Sequence, residues 1–215
     1  MEAPLPYPVV LRLEGRRVLV VGGGTVAESK VRGLVAAGAV VHVVARELSA
    51  AIRELPVTCE ERPYAPGEVA GYVFVVTATD DPAVNRQVFE DGEAAGIFVN
   101  AADDPASCSV TLPARLDRGS LLVAVSTSGQ SPALAGWVRD RLAEEVGPEY
   151  GTLVELVAEA RSALLAEGSA RPVADWRRAF DSGMLDDIRA GRLTEARQRL
   201  HAVLHPDGSP FSDDR

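Results

Sequence analysis

Three small residues follow the first strongly apolar segment of the chain at a spacing that suits phosphate binding. Gly22, Gly24 and Ala27 fill the pattern G-x-G-x-x-G/A directly after the apolar residues 18–21. Glycines at the first two places let backbone N–H groups approach a pyrophosphate, and a helix beginning there adds partial positive charge. Although glycines also serve ordinary tight turns, this context predicts a dinucleotide cofactor and, through it, redox chemistry.

The residues that would meet the adenosine end of that cofactor are ambiguous. An acidic residue usually contacts the ribose about 20 residues past the glycines, at the end of the second strand. Here that place holds Arg46 and Glu47. Arg46 can accept a 2′-phosphate, which favours NADP, whereas Glu47 can reach a ribose hydroxyl. Both side chains can equally well face solvent at a strand end, so these residues leave NAD and NADP open.

Two further polar loops follow later apolar segments, where open α/β sheets bind their ligands. In the first loop, Thr79 is a candidate cofactor contact, and Asp80 a candidate cap for the next helix. The second loop, residues 100–105, contains Asp103 and Asp104, and a carboxylate there can act as a general base, hold a metal ion or bind a substrate N–H. An Asx turn before Pro105 explains its aspartates equally well.

A third loop is rich in hydroxyl groups and precedes a predicted helix. Its candidate anion-binding residues are Ser126, Thr127, Ser128, Gly129 and Ser131. A helix cap alone needs only Ser131, so the additional hydroxyl groups favour a site for carboxylates or phosphates.

Composition limits the classes of function. The 215 residues are 47% hydrophobic and carry a net charge of −9, which argues against general binding to nucleic acid or anionic membranes. The two cysteines, Cys59 and Cys108, form no CxxC motif, so neither a disulfide framework nor structural zinc is expected. No apolar run is long enough to span a membrane, and the start of the chain lacks the pattern of a signal peptide. A cytoplasmic location is therefore expected.

The first half of the chain alternates strand-like and helix-like segments, which predicts an α/β fold with a parallel sheet and right-handed crossovers. The predicted strands are 18–21, 40–45, 57–61, 72–77 and 97–100, and the predicted helices are 26–37, 49–55 and 82–95.

The pattern then changes to an antiparallel pair followed by helices. Strands are expected at 109–112 and 121–126 around a turn at 117–120. Ser131 and Pro132 suit the N-cap and first position of a helix, and Thr194 suits the N-cap of a last helix that ends near residue 204.

Taken together, these segments resemble the precorrin-2 dehydrogenase module of siroheme biosynthesis, which also forms the N-terminal part of siroheme synthase. The resemblance rests on a leader and four motifs covering about the first 145 residues. They are L-P-Y-P-V-V-L-x-L at 5–13, V-G-G-G-x-V-A-x-x-K at 21–30, A-T-D-D-x-x-V-N at 78–85, V-N-x-x-D at 99–103 with Cys108, and A-V-S-T-x-G-x-S-P-A-L-A at 124–135.

The resemblance implies an NAD-binding Rossmann domain, a small dimerisation region and a helical C-terminal domain. We expect these at residues 1–112, 113–147 and 148–205, with a polar tail at 206–215. It further implies a homodimer that oxidises precorrin-2 to sirohydrochlorin with NAD as hydride acceptor. Some members of the family also insert ferrous iron to give siroheme, and a cobalt ion is a further possible chelatase substrate.

The family's functional residues transfer to particular positions of this chain. The catalytic aspartate falls on Asp103, with Asp104 as second choice, and Asp103 is also a candidate base for metal insertion. The cofactor contacts at the glycine turn fall on Gly22, Gly24, Thr25 and Val26, and those after the second strand on Arg46 and Glu47.

Two positions of the hydroxyl-rich loop qualify the resemblance. A serine that is phosphorylated in some members is replaced by Thr127, and Gln130 stands where a basic residue is common, which leaves recognition of substrate carboxylates there open. A competing hypothesis is a non-catalytic Rossmann module that senses nucleotides. Such a module needs the glycine loop but neither of the loops at 100–103 and 126–132.

Overall fold

The computed structural model describes residues 6–102 and 104–206. The chain forms two compact units. The first contains residues up to Leu112 together with Ser128–Gln130, and the second contains Pro113–Thr127 and the chain from Ser131 onward.

The first unit is built on a parallel sheet of five strands in the order β3-β2-β1-β4-β5. The strands are β1 Arg17–Val21, β2 Val40–Ala45, β3 Thr58–Glu61, β4 Phe74–Thr77 and β5 Phe98–Ala101. Residues 18–21 of the central strand β1 are almost completely buried, because helices cover both faces of such a sheet. The predicted α/β fold with a parallel sheet is confirmed.

Three helices connect these strands: α1 Thr25–Ala36, α2 Ala50–Arg53 and α3 Pro82–Ala95. Helix α3 begins and ends where the sequence predicts, with Gly96 closing it in the left-handed conformation at φ 67°. The prediction that Asp80 caps this helix was wrong, because the next residue, Asp81, is the cap. Asp81 accepts hydrogen bonds from the N–H groups of Ala83 and Val84, because it directly precedes Pro82 at the first helical position.

The strand order reverses between β1 and β4, which are adjacent although β2 and β3 lie between them in sequence. Open α/β sheets bind their ligands in the crevice at such a reversal, outside the carboxyl ends of the strands. The glycine loop after β1 and the polar loop after β4 both start at this edge.

The second unit contains an antiparallel hairpin, β6 Ala114–Arg118 and β7 Leu121–Val125. The prediction that the first strand of this hairpin spans residues 109–112 was wrong. Ser109 and Val110 instead bond to Val99 of β5 in the first unit, and the register of the hairpin follows its two-residue turn. Gly119 adopts φ 59° in that turn, which pairs Arg118 with Leu121.

The rest of the second unit is helical. It comprises α4 Pro132–Glu145, α5 Glu149–Ala166, α6 Val173–Ala179, a wide π-helical turn Phe180–Met184, α7 Leu185–Arg189 and α8 Leu193–Leu204. Buried side chains from α5 to α8 form its apolar core; they include Leu156, Leu164, Met184, Leu200 and Leu204.

The helix boundaries in this unit are mostly those predicted. Ser131 caps α4 by accepting from Leu134 N, and Pro132 is its first residue. The expected cap Thr194 lies inside α8 instead. Arg192 occupies the cap position without a side-chain capping bond, because a guanidinium has no acceptor for the first N–H groups. Its guanidinium and its N–H both donate to Asp187 instead. Among residues 6–102 and 104–206, no helix is long and apolar enough to cross a membrane.

Candidate dinucleotide-binding site

The loops that follow β1, β2 and β4 meet at the carboxyl edge of the sheet. Ser49 N donates to Gly23 O at 2.9 Å, which joins the segment after β2 to the glycine loop. A Cβ atom added to Gly22 would lie 2.3 Å from the carbonyl oxygen of Ala78, and one added to Gly23 would lie 1.9 Å from that of Glu47. The cofactor residues predicted on these three loops are therefore brought together.

Each small residue of the glycine motif has a distinct environment. Gly22 has φ 128°, a conformation that side chains rarely adopt, and its Cα packs against Ala78. Gly24 faces open space, with no atom within 4 Å of an added Cβ. Ala27 is completely buried, where α1 packs against the sheet. Dinucleotide binding requires a tight turn, space for a pyrophosphate and a close contact between helix and sheet. Gly22, Gly24 and Ala27 supply these three features in that order.

The N-terminus of α1 suits an anion. Gly24 occupies the N-cap position and offers no side chain to bond the N–H groups of the first turn, to which Thr25 and Val26 belong. Both of these side chains are exposed. Because N–H groups at a helix start carry partial positive charge, they favour a phosphate group.

Arg46 and Glu47 directly follow β2, and both side chains are exposed. Within the described part of the chain, Arg46 has no carboxylate close enough to form an ion pair. Glu47 contributes its backbone carbonyl to the wall against Gly23. The exposed positions of both side chains suit the adenosine ribose or a 2′-phosphate, and the preference between them stays a prediction.

The hydroxyl group of Thr79 is engaged within its own loop. Its Oγ1 lies 2.8 Å from Asn85 Oδ1 and 3.1 Å from Asp81 O, and accepts from Asp81 N. A cofactor contact by Thr79 stays a prediction. In the sequence, Asn85 stands out only as the last residue of the family motif at 78–85. The structure shows it buried at the centre of this loop. Asn85 shares the buried face of α3 with Val88 and Gly92, and this spacing of three and seven residues was the signal for its burial.

The proposed catalytic residue Asp103 lies outside the described residues. On one side of it, Ala102 N donates to Thr77 O at 2.8 Å, which ties the loop to β4. On the other side, Asp104 Oδ1 accepts from Ala106 N and caps a short 3-10 turn, Pro105–Ser107. This is the Asx-type turn that the sequence allowed as an alternative for these aspartates.

Cys108 lies beneath the same loop. Its Sγ donates to Ala101 O at 3.1 Å or Asp104 O at 3.3 Å and accepts from Ala101 N at 3.1 Å. Burial raises the pKa of the Cys108 thiol, so the neutral, hydrogen-bonding form is favoured. The thiol therefore holds the backbone in place.

The hydroxyl-rich loop is partly closed on itself. Thr127 Oγ1 lies 3.0 Å from both the N and the O of Ser131, and Ser131 Oγ is used to cap α4. Ser128 and Gly129 both have positive φ, 54° and 79°, which turns the chain sharply. Ser126 follows β7 directly. Substrate binding by these five residues stays a prediction.

No group of three or more His, Cys, Asp or Glu side chains in the described part of the chain is arranged to hold a metal ion.

Models of two protein families match parts of this chain. A family model for NAD(P)-binding proteins matches residues 9–114, and a second model, "Sirohaem biosynthesis protein central", matches residues 118–145. The chain is 41% identical to siroheme synthase of Azotobacter vinelandii over 204 residues, which are 92% of this chain and 44% of that protein. It is 39% identical to siroheme synthase of Pseudomonas aeruginosa over 204 residues, again 92% of this chain and 44% of that protein.

A solved structure is similar along almost the whole length. SirC, a precorrin-2 dehydrogenase, superposes with a TM-score of 0.70 at 29% identity, covering 93% of this chain and 99% of its own. The chain belongs to the family of siroheme synthase N-terminal modules. This is the precorrin-2 dehydrogenase/chelatase family, and the NAD(P)-binding domain and the central domain of that family are both present.

The family explains the layout of the site, since its NAD(P)-binding domain contains the glycine loop described above. The chain spans less than half the length of the curated siroheme synthases that it matches.

Proposed function

We propose that the chain is an oxidoreductase that converts precorrin-2 to sirohydrochlorin with NAD+ as hydride acceptor. The observation that carries this proposal is the similarity to SirC, which extends over 99% of that precorrin-2 dehydrogenase. The open space at Gly24 and the uncapped start of α1 support it, because they suit the pyrophosphate of a dinucleotide.

The reaction removes a hydride and a proton from the macrocycle. NAD+ bound at the glycine loop would supply the hydride acceptor. Asp103 is assigned as the base that takes the proton, with Asp104 as second choice. Gly22, Gly24, Thr25 and Val26 would hold the pyrophosphate, with the buried Ala27 packing α1 against the sheet beneath them. Arg46 and Glu47 would hold the adenosine ribose, and Thr79 a further part of the cofactor.

Precorrin-2 is a polycarboxylate, and the chain has a net charge of −9, so its binding requires local donors. We assign Ser126, Thr127, Ser128, Gly129 and Ser131 to the substrate carboxylates, since hydroxyl and N–H groups before a helix start suit anions. Residues 113–147 are proposed as the dimerisation region of a homodimer, between the Rossmann domain 1–112 and the helical domain 148–205.

Metal insertion is a second candidate activity, favoured by the name siroheme synthase of the relatives that match over 92% of this chain. Ferrous or cobalt ion would then be a substrate, and Asp103 would accept pyrrole protons. The free thiols of Cys59 and Cys108 suit the reducing cytoplasm, where we place the protein.

The direct test supplies purified protein with precorrin-2 and NAD+ and follows NADH at 340 nm. We expect NADH to form with the wild type, and Asp103→Asn to lower kcat by about 10²–10⁴, the usual loss of a general base. Glu90→Gln, the same change from carboxylate to amide at an exposed position of helix α3, is the control and should keep full activity. Absence of turnover in the wild type would overturn the proposal, and full activity of Asp103→Asn would overturn the assignment of the base. Adding sirohydrochlorin and Fe²⁺ or Co²⁺ to the same samples tests the chelatase activity.

The choice between NAD and NADP needs a binding measurement. Calorimetric titration should show tighter binding of NAD+ than of NADP+ by the wild type. If NADP+ binds more tightly, and Arg46→Ala abolishes that preference, Arg46 receives a 2′-phosphate and the assignment of NAD is wrong.

A further inference from the structure

The polar loop after β4 is held by one buried side chain. Asn85, on the first turn of α3, is 6% exposed and points its amide at Thr77 and Thr79. Its Nδ2 donates to Thr79 O at 2.9 Å, while its Oδ1 accepts from Thr79 N at 3.4 Å. The amide therefore bonds both backbone groups of one residue. The opposite orientation of the amide would place donor against donor and acceptor against acceptor, so the backbone determines it.

Two hydroxyl groups complete this arrangement, which we call the Asn85 clamp and define as Asn85 with Thr77 and Thr79. Thr77 Oγ1, completely buried at the end of β4, lies 2.5 Å from Asn85 Oδ1, and Thr79 Oγ1 lies 2.8 Å from the same atom. A buried amide that keeps its partners is favourable, whereas loss of one partner leaves the others unsatisfied at considerable cost. The clamp therefore fixes the path of the chain between β4 and α3.

That path forms one wall of the glycine loop. Ala78 lies between the two threonines of the clamp, and its N donates to Val21 O at 2.8 Å. Its carbonyl oxygen lies so close to Gly22 that a Cβ atom added to Gly22 would be 2.3 Å from this oxygen. A shift of Thr79 would move Ala78, and with it the support of the turn from Gly22 to Gly24.

We propose that Asn85 is a positioning residue for the dinucleotide: it holds Ala78 against Gly22 and so keeps the glycine loop in its binding conformation. The inference rests on the proposed cofactor site and goes beyond it, since Asn85 lies beneath the loop and is not one of the assigned contacts. Loss of the clamp should weaken cofactor binding without removing any group that touches the cofactor.

Asn85→Asp tests the clamp with almost unchanged shape. At pH 8 the carboxylate can still accept from Thr79 N. However, it places an oxygen against Thr79 O, where the wild type has the Nδ2 donor. We expect the Kd for NAD+, measured by calorimetry, to rise about tenfold, which corresponds to the loss of one well-placed hydrogen bond. Protonation of the aspartic acid restores an O–H donor towards Thr79 O, so the Kd should return towards the wild-type value as the pH falls to 5.5.

The wild type measured over the same pH range is the reference. The neighbouring charged groups Asp80, Asp81 and Arg86 are present in both proteins, so the two curves differ only through residue 85. Val88→Ala is the matched control for stability. It shortens a completely buried side chain of the same helix α3 and leaves the clamp in place, so the Kd for NAD+ should stay within twofold of the wild type.

Thr77→Val is a milder variant that keeps the shape and removes one hydroxyl from the clamp. Its Kd for NAD+ should rise about threefold. This variant still tests the clamp if Asn85→Asp fails to fold. In the precorrin-2 assay, both variants should raise KM for NAD+ while kcat at saturating NAD+ stays unchanged.

Wild-type affinity in both clamp variants, or equal loss in Val88→Ala, would overturn the role of Asn85 while leaving the proposed function intact. Failure of the wild type to bind either dinucleotide would overturn the proposed function and this inference together.

Discussion

Gly22 and Gly24 belong to one motif, yet the chain needs them for different reasons. Gly22 is required by the fold, because its φ of 128° and the adjacent carbonyl of Ala78 both exclude a side chain. Gly24 has an ordinary extended backbone, φ −85° and ψ −170°, and open space in front of it. No neighbouring atom excludes a side chain at Gly24, so its glycine suits the N-cap of α1 and the close approach of a ligand.

Gly24→Ala should therefore separate binding from stability. We expect the free energy of unfolding to change by less than about 1 kcal/mol, since alanine is only a poorer helix cap than glycine. The affinity for NAD+ should fall about tenfold or more, because the added methyl group lies where the pyrophosphate approaches. Urea unfolding and calorimetric titration measure the two quantities.

Gly22→Ala is the contrasting variant. It should lower the free energy of unfolding by about 1–3 kcal/mol through its backbone conformation alone, and also lose NAD+ binding. Gly136→Ala, at an open position of α4, should keep NAD+ affinity and gain about 0.5–1 kcal/mol of stability. Unchanged NAD+ binding by Gly24→Ala would contradict the assignment of the pyrophosphate site.

Among the elements, the α7–α8 turn depends on one buried carboxylate. Asp187 is 4% exposed, and accepts from Arg192 at 2.6 Å and from Arg199 at 2.5 Å. Arg199 also donates to Ser182 O, inside the wide turn Phe180–Met184. The hydrogen bonds from Arg192 and then Arg199 hold the pKa of Asp187 below its usual range. One carboxylate thus joins three consecutive elements of the helical unit.

This pKa predicts an acid-dependent loss of stability. Because the pKa of Asp187 is lower in the folded state, its contribution is complete above the unfolded pKa near 4 and is lost as the pH falls through the folded value. Unfolding by urea, followed by tryptophan fluorescence between pH 7 and pH 2.5, should show this decline. Asp187→Asn should lower the urea midpoint at pH 7 and make it less dependent on pH below 4.

Its neighbour Asp186 is the control. Its side chain is 76% exposed and, within residues 6–102 and 104–206, pairs with the exposed Arg189 alone, at 3.4 Å, so Asp186→Asn should leave the midpoint almost unchanged. Equal behaviour of the two variants would show that the Asp187 cluster does not stabilise the helical unit.

At the scale of the whole molecule, exposed apolar side chains on α4 and the hairpin suit an interface with a second copy. Trp137 is 57% exposed, Leu134 50% and Leu122 42%, and all three lie in the proposed dimerisation region 113–147. Soluble monomers rarely leave such large apolar side chains exposed together on neighbouring elements. Helix α4 packs against both strands of this hairpin.

The dimer can be tested by light scattering after gel filtration. We expect a mass twice the 22.7 kDa of one chain. Trp137→Asp should shift the protein towards the monomer, because a buried charge without a partner opposes association. Leu165→Asp is the matched control outside the region, at a side chain that is 63% exposed, and should leave the dimer intact. A monomeric wild type, or dissociation only with Leu165→Asp, would contradict the proposed interface.

Local patterns predicted the first unit well because each signal there is short in range. The apolar run 18–21, the end of α3 at Gly96 and the glycine spacing depend on neighbouring residues, so the sequence by itself determined the parallel α/β fold and the place of the cofactor loop. The hairpin was displaced by a few residues because Ser109 and Val110 bond to Val99, about ten residues earlier.

Only the tertiary structure decided which polar residues support the site. Asn85, beneath the cofactor loop, and Asp187, in the helical unit, are ordinary polar residues in the sequence. Their roles depend on Thr77 and Thr79 and on Arg192 and Arg199, which folding brings within hydrogen-bond distance. The spacing of Gly22 and Gly24 is readable along the chain, but the carbonyl of Ala78 that makes Gly22 indispensable comes from the loop after β4. Because these groups are buried, the loss of a hydrogen-bond partner costs free energy of folding. No local sequence pattern shows which groups become buried.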